Sequence, residues 1–215
     1  MARRWMLAAL LAAASPLALA DAEVCRLEMG EGWPAATGNY GDGAVNLLGG
    51  SHQTGISWLS LPKRGVESQL LLAPDQQGQW WVVSARADKR IRYVSSGYNS
   101  FGVELRFDQE PEIERAPIPA ELAERIIGHW QRALSRVQMQ AQAPVMGDED
   151  IFSLQINGQR YSGRAPNCSV LVRLLEQRAL LEELAGSKEK KHDKRHEAIG
   201  RALDKYDERI AKGKA

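Results

Sequence analysis

Charge of one sign, cysteine and long apolar segments are all scarce in this chain of 215 residues. Its 28 Lys and Arg residues nearly balance its 27 Asp and Glu residues, so the formal net charge is only +1. Such a balance gives no electrostatic reason to expect binding to nucleic acid or to an anionic membrane surface. The apolar run Trp5–Ala14 is shorter than the roughly 20 residues that cross a bilayer, so it predicts no membrane anchor.

The sequence motifs of common catalytic sites are also missing. The segment Gly30–Gly55 is rich in glycine, but it lacks the Gly-Lys-Ser/Thr ending of a phosphate-binding loop. Ser51 is not the serine of a Gly-x-Ser-x-Gly elbow, because Gln53 occupies the last position. We therefore interpret this segment as glycine turns that join short strands, one of them at Ala44–Leu48, and we expect no cofactor.

Residues 1–20 have the pattern of a secretory signal peptide. Arg3 and Arg4 supply the basic start, an apolar run follows, and Ala18-Leu19-Ala20 provides the small residues of a cleavage site. We therefore expect export to the periplasm or beyond. The mature chain is expected to start at Asp21 and to carry no membrane anchor.

Export bears on the pairing of Cys25 and Cys168, the two cysteines of the chain. In an oxidising compartment a lone pair of thiols is usually joined. The sequence therefore predicts a disulfide that closes most of the mature chain into one loop. The competing interpretation is a reactive thiol at Cys168, since the N-terminus of a helix lowers the pKa of a thiol.

Two helices are predicted in the second half of the chain. The first starts at Pro119, because proline is favoured at the first helical position. Its apolar stripe includes Trp130 and continues to Ala141 at helical spacing. The second helix starts at Ser169, is rich in leucine, and is expected to end at Gly186.

A β-hairpin is predicted between the two helices. Apolar and polar residues alternate from Phe152 to Ile156, and Asn157-Gly158 follows directly. Asn-Gly tolerates the positive φ angles of a type I′ turn, and this two-residue loop sets the register that pairs Leu154 with Tyr161. The apolar face of the hairpin is expected to pack against the first helix.

The same part of the chain resembles an uncharacterised family of secreted proteobacterial proteins. The resemblance covers about residues 119–185. It consists of a helix with a central Trp130, Gly147-Asp148 before an aromatic strand at Phe152, and Tyr161-Ser162-Gly163 before a leucine-rich helix. It implies an α+β module and brings no known activity with it.

Between residues 56 and 107 the sequence predicts a β meander, because turn signals separate five short apolar segments. A sheet with an apolar face needs a cover, which the two predicted helices can supply. We therefore predict an α+β fold, an antiparallel sheet covered by two helices, in a single domain at residues 21–186. The predicted strands are Ile56–Leu61, Ser68–Ala73, Gln79–Arg86, Arg90–Ser95 and Phe101–Phe107.

The composition changes abruptly after Gly186. Residues 187–215 are rich in charged side chains and contain only a short apolar stripe with Ile199, Leu203 and Tyr206. We predict a charged, partly helical C-terminal tail that docks weakly or engages a partner. Truncation after Gly186 is then expected to leave the melting temperature nearly unchanged.

Two groups of residues are candidates for a binding surface. Trp80 and Trp81 are adjacent on a predicted strand, so one is expected to point inward and the other outward, either to anchor a partner or to pack under a loop. Four cations surround the next predicted turn, either to attract an anionic partner or to protect strand edges from pairing. They are Arg86, Lys89, Arg90 and Arg92.

A pair of histidines is a weak candidate for a metal site. His192 and His196 lie four residues apart, which is the spacing that zinc-binding helices use. Asp193 stands where a metalloprotease has glutamate, and no third ligand is recognisable. A solvated helix face explains the pattern as well, so we predict no bound metal.

These observations favour a non-enzymatic module that binds another protein of the cell envelope, for example an inhibitor or immunity protein. One alternative is a cell-envelope hydrolase that uses His52 or the His192 and His196 pair, and another is a structural component of the envelope. A cleft that gathers His52 with a carboxylate or Ser51 would favour the hydrolase. An exposed Trp beside the basic turn would favour the binding module.

Overall fold

The computed structural model describes residues 26–35, 37–50, 52–97, 100–135, 138–145, 149–164 and 169–211. The strands in this part of the chain are β1 (Arg26–Glu31), β2 (Ile56–Leu61), β3 (Ser68–Pro74), β4 (Trp80–Arg86), β5 (Arg92–Gly97), β6 (Ser100–Leu105), β7 (Glu112–Pro117), β8 (Gln138–Gln140), β9 (Ile151–Ile156) and β10 (Gln159–Arg164). The helices are α1 (Gly38–Leu47), α2 (Ala120–Leu134), α3 (Ser169–Ala185) and α4 (His192–Ala211), and a short 3-10 turn at Glu189–Lys191 precedes α4.

Eight of the described strands form one sheet in the order β7-β4-β3-β2-β9-β10-β1-β8. Neighbouring strands are antiparallel except β1 and β8, which run parallel. Strands β5 and β6 pair with each other in a separate two-stranded sheet. The predicted α+β fold, a large antiparallel sheet accompanied by helices, is confirmed.

One face of the large sheet carries the main core. Side chains alternate between the two faces of a strand, so Trp58 of β2 and Leu154 of β9 point to the same side and are buried against α2 and α3. Trp58 meets Trp130 of α2 edge to face, with ring centroids 5.6 Å apart. The predicted packing of the hairpin against the first helix is therefore confirmed.

The β9–β10 hairpin has the predicted turn and register. Asn157 and Gly158 have φ angles of 47° and 84°, as a type I′ turn requires. Leu154 lies opposite Tyr161, and Phe152 lies opposite Gly163. The turn also ties down the loop before β2, because Asn157 Oδ1 accepts the backbone N–H of Gly55 at 3.1 Å.

The C-terminal segment is helical, as predicted, but the expectation that it docks weakly is wrong. Ile199, Leu203 and Tyr206 of α4 are 1 %, 2 % and 2 % exposed, and the first two belong to the main core. Arg125 of α2 binds Asp204 of α4 at 2.8 Å. A narrow apolar stripe is enough to bury one side of a helix, even when the remaining sides are highly charged.

The first predicted helix ends earlier than its apolar stripe suggests. Helix α2 stops at Leu134, and the chain then forms β8, so the prediction that the helix continues to Ala141 is wrong. Strand β8 pairs with the outer edge of β1. The backbone groups of β8, which a longer helix would have paired internally, are here paired with β1 instead.

The opposite face of the sheet is covered by a helix that the sequence did not predict, because the segment is rich in glycine. Residues 38–47 form α1, so the prediction of glycine turns with a strand at Ala44–Leu48 is wrong. Tyr40, Ala44 and Leu48 follow one another at helical spacing and are buried against Leu59 of β2. Burial of this stripe compensates for the poor helix propensity of glycine.

The glycines of α1 allow close packing against aromatic rings. A Cβ atom on Gly41 would lie 2.7 Å from the Trp33 ring, which is too short for a contact. We therefore expect Gly41→Ala to lower the free energy of unfolding by about 1–3 kcal/mol through overpacking. On Gly200 of α4, a Cβ atom would meet no described atom within 4 Å beyond the backbone of its own helix, and Gly200→Ala is expected to raise stability by up to about 1 kcal/mol. Urea unfolding of both variants measures these opposite signs.

A polar cluster lies inside the main core where α2, α3 and α4 meet. His129 and Gln177 are 1 % and 4 % exposed. The Trp130 Nε1–H donates to Gln177 Oε1 at 2.7 Å, and the Gln177 amide nitrogen lies 2.7 Å from His129 Nδ1. The His129 ring also packs on Tyr206, with centroids 3.8 Å apart. One glutamine therefore connects α3 to two neighbouring residues of α2.

His129 predicts a pH dependence of stability. Burial lowers the pKa of His129, and the hydrogen bond with Gln177 only partly opposes this. Below about pH 6.5 the unfolded chain binds a proton that the folded chain excludes, so stability is complete above this pH and falls as the pH drops toward the lowered pKa. The loss is at most about 1.4 kcal/mol per pH unit. Urea unfolding at several pH values is expected to show a smaller loss in His129→Gln; an unchanged pH profile would contradict this assignment.

Candidate functional site

The connection between β4 and β5 is built around a buried carboxylate; it contains Lys89 and Arg90 and is flanked by Arg86 and Arg92. Glu67 precedes β3 and is 0 % exposed. It accepts hydrogen bonds from the Tyr40 hydroxyl at 2.6 Å and from the backbone N–H groups of Ile91 at 2.8 Å and Arg92 at 3.2 Å. The Ala87 N–H donates to the Glu67 carbonyl at 2.9 Å. One residue therefore holds both ends of the connection.

The Tyr40 hydroxyl is kept in its protonated, donating form next to the buried Glu67 carboxylate. Burial raises the pKa of Tyr40, and the hydrogen bond and negative charge of Glu67 raise it further, so the phenol stays protonated and donates. The positive charges of Arg90 and Arg92 lower the same pKa, but they do not outweigh these effects. A buried carboxylate is costly unless polar and charged groups compensate it. The Tyr40 hydroxyl and the backbone N–H groups of Ile91 and Arg92 supply the hydrogen bonds that this carboxylate needs.

Acidic residues share the surface of the predicted cations. Arg86 ends β4 and lies opposite Glu112 of β7. The Lys89 ammonium lies 3.7 Å from Asp88, and Glu110 lines the same shallow cleft as Arg86. The surface is thus mixed in charge rather than basic. It fits a protein surface with charges of both signs better than a uniformly anionic polymer.

Strands β5 and β6 form a two-stranded arm beside this surface. The arm exposes two large side chains, Tyr93 at 41 % and Val103 at 48 %. The Arg106 guanidinium stacks over the Tyr93 ring at 3.9 Å and pairs with Glu104 at 3.0 Å. Tyr93 and Arg106 therefore form one stacked pair on the arm, whereas Val103 is exposed on the other face, because Val103 lies opposite Val94 and not opposite Tyr93.

The arm is anchored to the body of the protein at its base. Ile91 is 0 % exposed and belongs to the second core, beneath α1. The Arg106 N–H donates to the Ile91 carbonyl at 2.8 Å, and Leu105 packs against the same core. Glu67 binds the Ile91 and Arg92 amides. The base is fixed by burial and hydrogen bonds, whereas the two exposed side chains remain open to solvent.

The structure separates the tryptophans from the cations. Trp80 points into the main core and is 8 % exposed, and Trp81 lies on the opposite face, so the predicted alternation is confirmed. Trp81 Nε1–H donates to Asp75 Oδ2 at 2.9 Å, and this hydrogen bond is the main cause of the lowered pKa of Asp75. Trp81 and Arg86 are five residues apart on β4, which is about 17 Å along a strand. They do not form one surface.

The histidines occupy three places, with His52 in a loop, His129 in the main core, and His192 and His196 together on α4, where their rings lie 6.3 Å apart. His52 is exposed and its ring has no hydrogen-bond or ion-pair partner within the described residues, whereas Ser51 lies outside them. His192 Nε2 donates to the Ser187 carbonyl at 3.2 Å, and His196 Nε2 donates to the Pro117 carbonyl at 3.0 Å. These two nitrogens therefore have structural partners. In the described ranges, no group of three or more His, Cys, Asp or Glu residues is arranged to hold a metal ion.

The predicted disulfide and signal peptide lie outside the described residues, which begin at Arg26 and omit residues 165–168. Strand β1 begins one residue after Cys25, and α3 begins one residue after Cys168. The disulfide therefore stays a prediction. Among the described helices, none is both long and apolar enough to cross a bilayer.

Sequence reasoning missed the residues that organise this site. Glu67 stands between Val66 and β3 in a segment that has the composition of a turn, and nothing in the sequence distinguishes it from an exposed loop glutamate. Tyr40 lies in the glycine-rich segment, which was interpreted as turns. The helical spacing of Tyr40, Ala44 and Leu48 was the signal that could have shown that Tyr40 faces inward.

Comparison of the chain with protein-family models, with curated proteins and with solved structures finds no significant match. The resemblance to secreted proteobacterial proteins therefore stays a prediction. A function has to be inferred from the geometry of the chain itself.

Proposed function

We propose that this protein is an exported, non-enzymatic module that binds another protein of the cell envelope through the β5–β6 arm. The observation that carries the proposal is the anchored arm with its exposed Tyr93 and Val103. An inhibitor or immunity protein is the specific form that this proposal favours. The mixed charges at the base of the arm would form the polar rim of the interface.

The arm is a small element that would not be stable alone. An isolated two-stranded sheet is marginally stable in water, yet this one is fixed at its base by the buried Ile91 and by Glu67. Tyr and Arg side chains are enriched among the residues that dominate binding energy in protein interfaces. The stacked Tyr93 and Arg106 present both types on one prearranged surface, which lowers the entropy lost on binding.

The test compares two variants in a capture experiment. The double substitution Tyr93→Ala and Val103→Ser removes the exposed apolar groups of the arm without touching its base. Ile113→Ser is the matched control, because Ile113 is 54 % exposed on β7, outside the arm. The immobilised mature chain is used to isolate a partner from envelope extract, and the affinity of the purified partner is then measured for each variant. We expect the arm variant to bind at least about tenfold more weakly and the control to bind normally. Equal affinities of the wild-type chain and the arm variant would reject the arm as the binding surface.

Export itself makes a separate prediction. Intact-mass analysis of periplasmic material should identify Asp21 as the first residue, because cleavage follows the small residues that end at Ala20. Thiol titration of the unfolded, unreduced protein should detect no free thiol, because Cys25 and Cys168 are expected to be joined. For a loop of more than about 100 residues the chain-entropy estimate of this bridge is roughly 4–5 kcal/mol. A retained leader would reject export, and two free thiols would reject the disulfide.

A further inference from the structure

A groove of about 600 Å³ runs between α3 and α4, on the side of the sheet that carries the main core. Its volume lies within the range of small-molecule sites, roughly 300–1,000 Å³. Gln177 and Tyr206 form part of its lining and are 4 % and 2 % exposed. Both belong to the polar cluster around His129, so the lining is held by residues that are themselves fixed in the core.

The walls of the groove are partly apolar. Val172 and Leu180 contribute from α3, and Ala198 and Ala202 contribute from α4. Val172 is 42 % exposed, so its side chain is accessible from the groove. Because the side chains of Ala198 and Ala202 are small, the groove is wide enough on the α4 side to receive an apolar chain. The walls therefore offer apolar surface that water covers in the free protein.

The rim of the groove carries an excess of positive charge. Arg173, Arg201 and Lys205 line it together with one acidic residue, Glu176. Arg201 pairs with Glu197 at 3.4 Å, whereas neither Arg173 nor Lys205 has a carboxylate within 4 Å among the described residues. Like charges that face one groove repel each other unless an anion lies between them.

On the side of α4 that faces α2, the cations form ion pairs between the two helices. There Arg125 of α2 binds Asp204 at 2.8 Å, and Arg132 of α2 lies 3.5 Å from Asp207. Each cation on that side thus has a carboxylate from the facing helix. In the groove, Arg173 instead lies 5.7 Å from the centre of the Tyr206 ring, which leaves its charge near the buried lining.

We propose that the α3–α4 groove binds an organic anion, a carboxylate or phosphate group attached to an apolar chain. The anionic group lies among Arg173, Arg201 and Lys205, where guanidinium groups can bind its oxygens in pairs. The apolar chain lies against Val172, Leu180 and the two alanines. The site is independent of the β5–β6 arm, so either proposal can fail without the other.

The binding experiment uses the mature full-length chain and four compounds. Isothermal titration with octanoate, octyl phosphate, 1-octanol and inorganic phosphate separates the charged group from the apolar chain and the carboxylate from the phosphate. We expect saturable binding of at least one of the two amphiphilic anions, at least about tenfold tighter than 1-octanol or inorganic phosphate, because both parts of the ligand contribute. The tighter of the two anions identifies the head group.

Variants locate the site. The double substitution Arg173→Gln and Lys205→Gln is expected to weaken binding at least about tenfold, and Ala198→Trp is expected to abolish it by filling the groove. Lys190→Gln is the control, because it removes an exposed cation outside the groove. The Arg173 and Lys205 variant is also expected to melt at the same temperature as the free wild-type chain or higher, since it removes repulsion.

Four results would overturn the proposal. Absence of saturable binding of both amphiphilic anions rejects the site. Equal affinity for 1-octanol and the anions rejects the role of the cations, and unchanged affinity in Ala198→Trp places the bound molecule elsewhere. A lower melting temperature in the Arg173 and Lys205 variant, together with unchanged affinity, would assign these cations to packing.

Discussion

Removal of residues 187–215 is expected to abolish the cooperative unfolding transition of the remaining chain. Helix α4 contributes Ile199, Leu203 and Tyr206, which are 1 %, 2 % and 2 % exposed. Full burial of a side chain of this size contributes about 1.5–3 kcal/mol, so the three together contribute about 5–9 kcal/mol. This is comparable with the whole stability of an ordinary domain. Thermal unfolding followed by circular dichroism measures the loss.

A point variant tests the same contact without shortening the chain. Leu203→Ala leaves a cavity where α4 packs on the main core, and it is expected to lower the free energy of unfolding by about 2–5 kcal/mol. Lys194→Ala, on the exposed side of the same helix, is expected to stay within about 0.5 kcal/mol of the wild-type chain. A truncated chain with the melting temperature of the full-length protein would show that α4 is a dispensable tail.

Glu67→Ala is expected to lower the free energy of unfolding by about 3–5 kcal/mol, although it removes no apolar contact. The substitution leaves the Tyr40 hydroxyl and the Ile91 and Arg92 amides without their acceptor in a buried place. Chemical unfolding measures the loss, and hydrogen exchange should show faster exchange at the Ile91 and Arg92 amides.

Two further variants separate the role of the buried carboxylate from that of its neighbours. Tyr40→Phe removes one donor and leaves the carboxylate in place, so it is expected to cost about 1–2 kcal/mol. Glu110→Ala removes an exposed carboxylate near the same surface and is expected to change stability by less than about 0.5 kcal/mol. If Glu67→Ala were as mild as Glu110→Ala, the carboxylate would not organise the base of the arm.

The two predictions have different consequences for the proposed function. Loss of Glu67 is expected to loosen the base of the arm, and therefore to weaken partner binding even at temperatures where the chain remains folded. Loss of the α4 contacts acts on the main core, on the opposite side of the sheet. A partner affinity that falls in Glu67→Ala and not in Leu203→Ala would link the buried carboxylate to the binding surface.

Elements with strong local signals were predictable from the sequence. The β9–β10 hairpin follows from Asn157-Gly158, because the turn alone fixes the register of the two strands. Helix α3 runs from Ser169 to Ala185, as its dense leucines and the following Gly186 indicate. The strand Ile56–Leu61 has the predicted bounds as well. In each case the residues that determine the element lie within it.

Elements that depend on a distant surface were not predictable. Helix α1 contains three glycines yet forms, because Trp33 and Phe107 pack where larger side chains would collide with them. Strand β8 replaces the end of a helical stripe and pairs with the edge of β1, a strand more than 100 residues earlier in the chain. The sequence shows the apolar stripe of α4 with Ile199 and Leu203, but not its burial, because a stripe becomes core only where another element faces it.

The amphipathic period of each helix, the turn chemistry and the net charge are properties of neighbouring residues, and the sequence alone contains them. The base of the β5–β6 arm and the α3–α4 groove, where binding is proposed, are formed by residues that are distant in the sequence. Glu67 and Ile91 are 24 residues apart, and the α3–α4 groove joins side chains from two helices, so both sites depend on long-range packing. Trp81 and Arg86, which are close in sequence, are held about 17 Å apart by the extended strand between them. The helices bury the two faces of the sheet, and this packing determines which surfaces are in contact and which charged side chains form ion pairs.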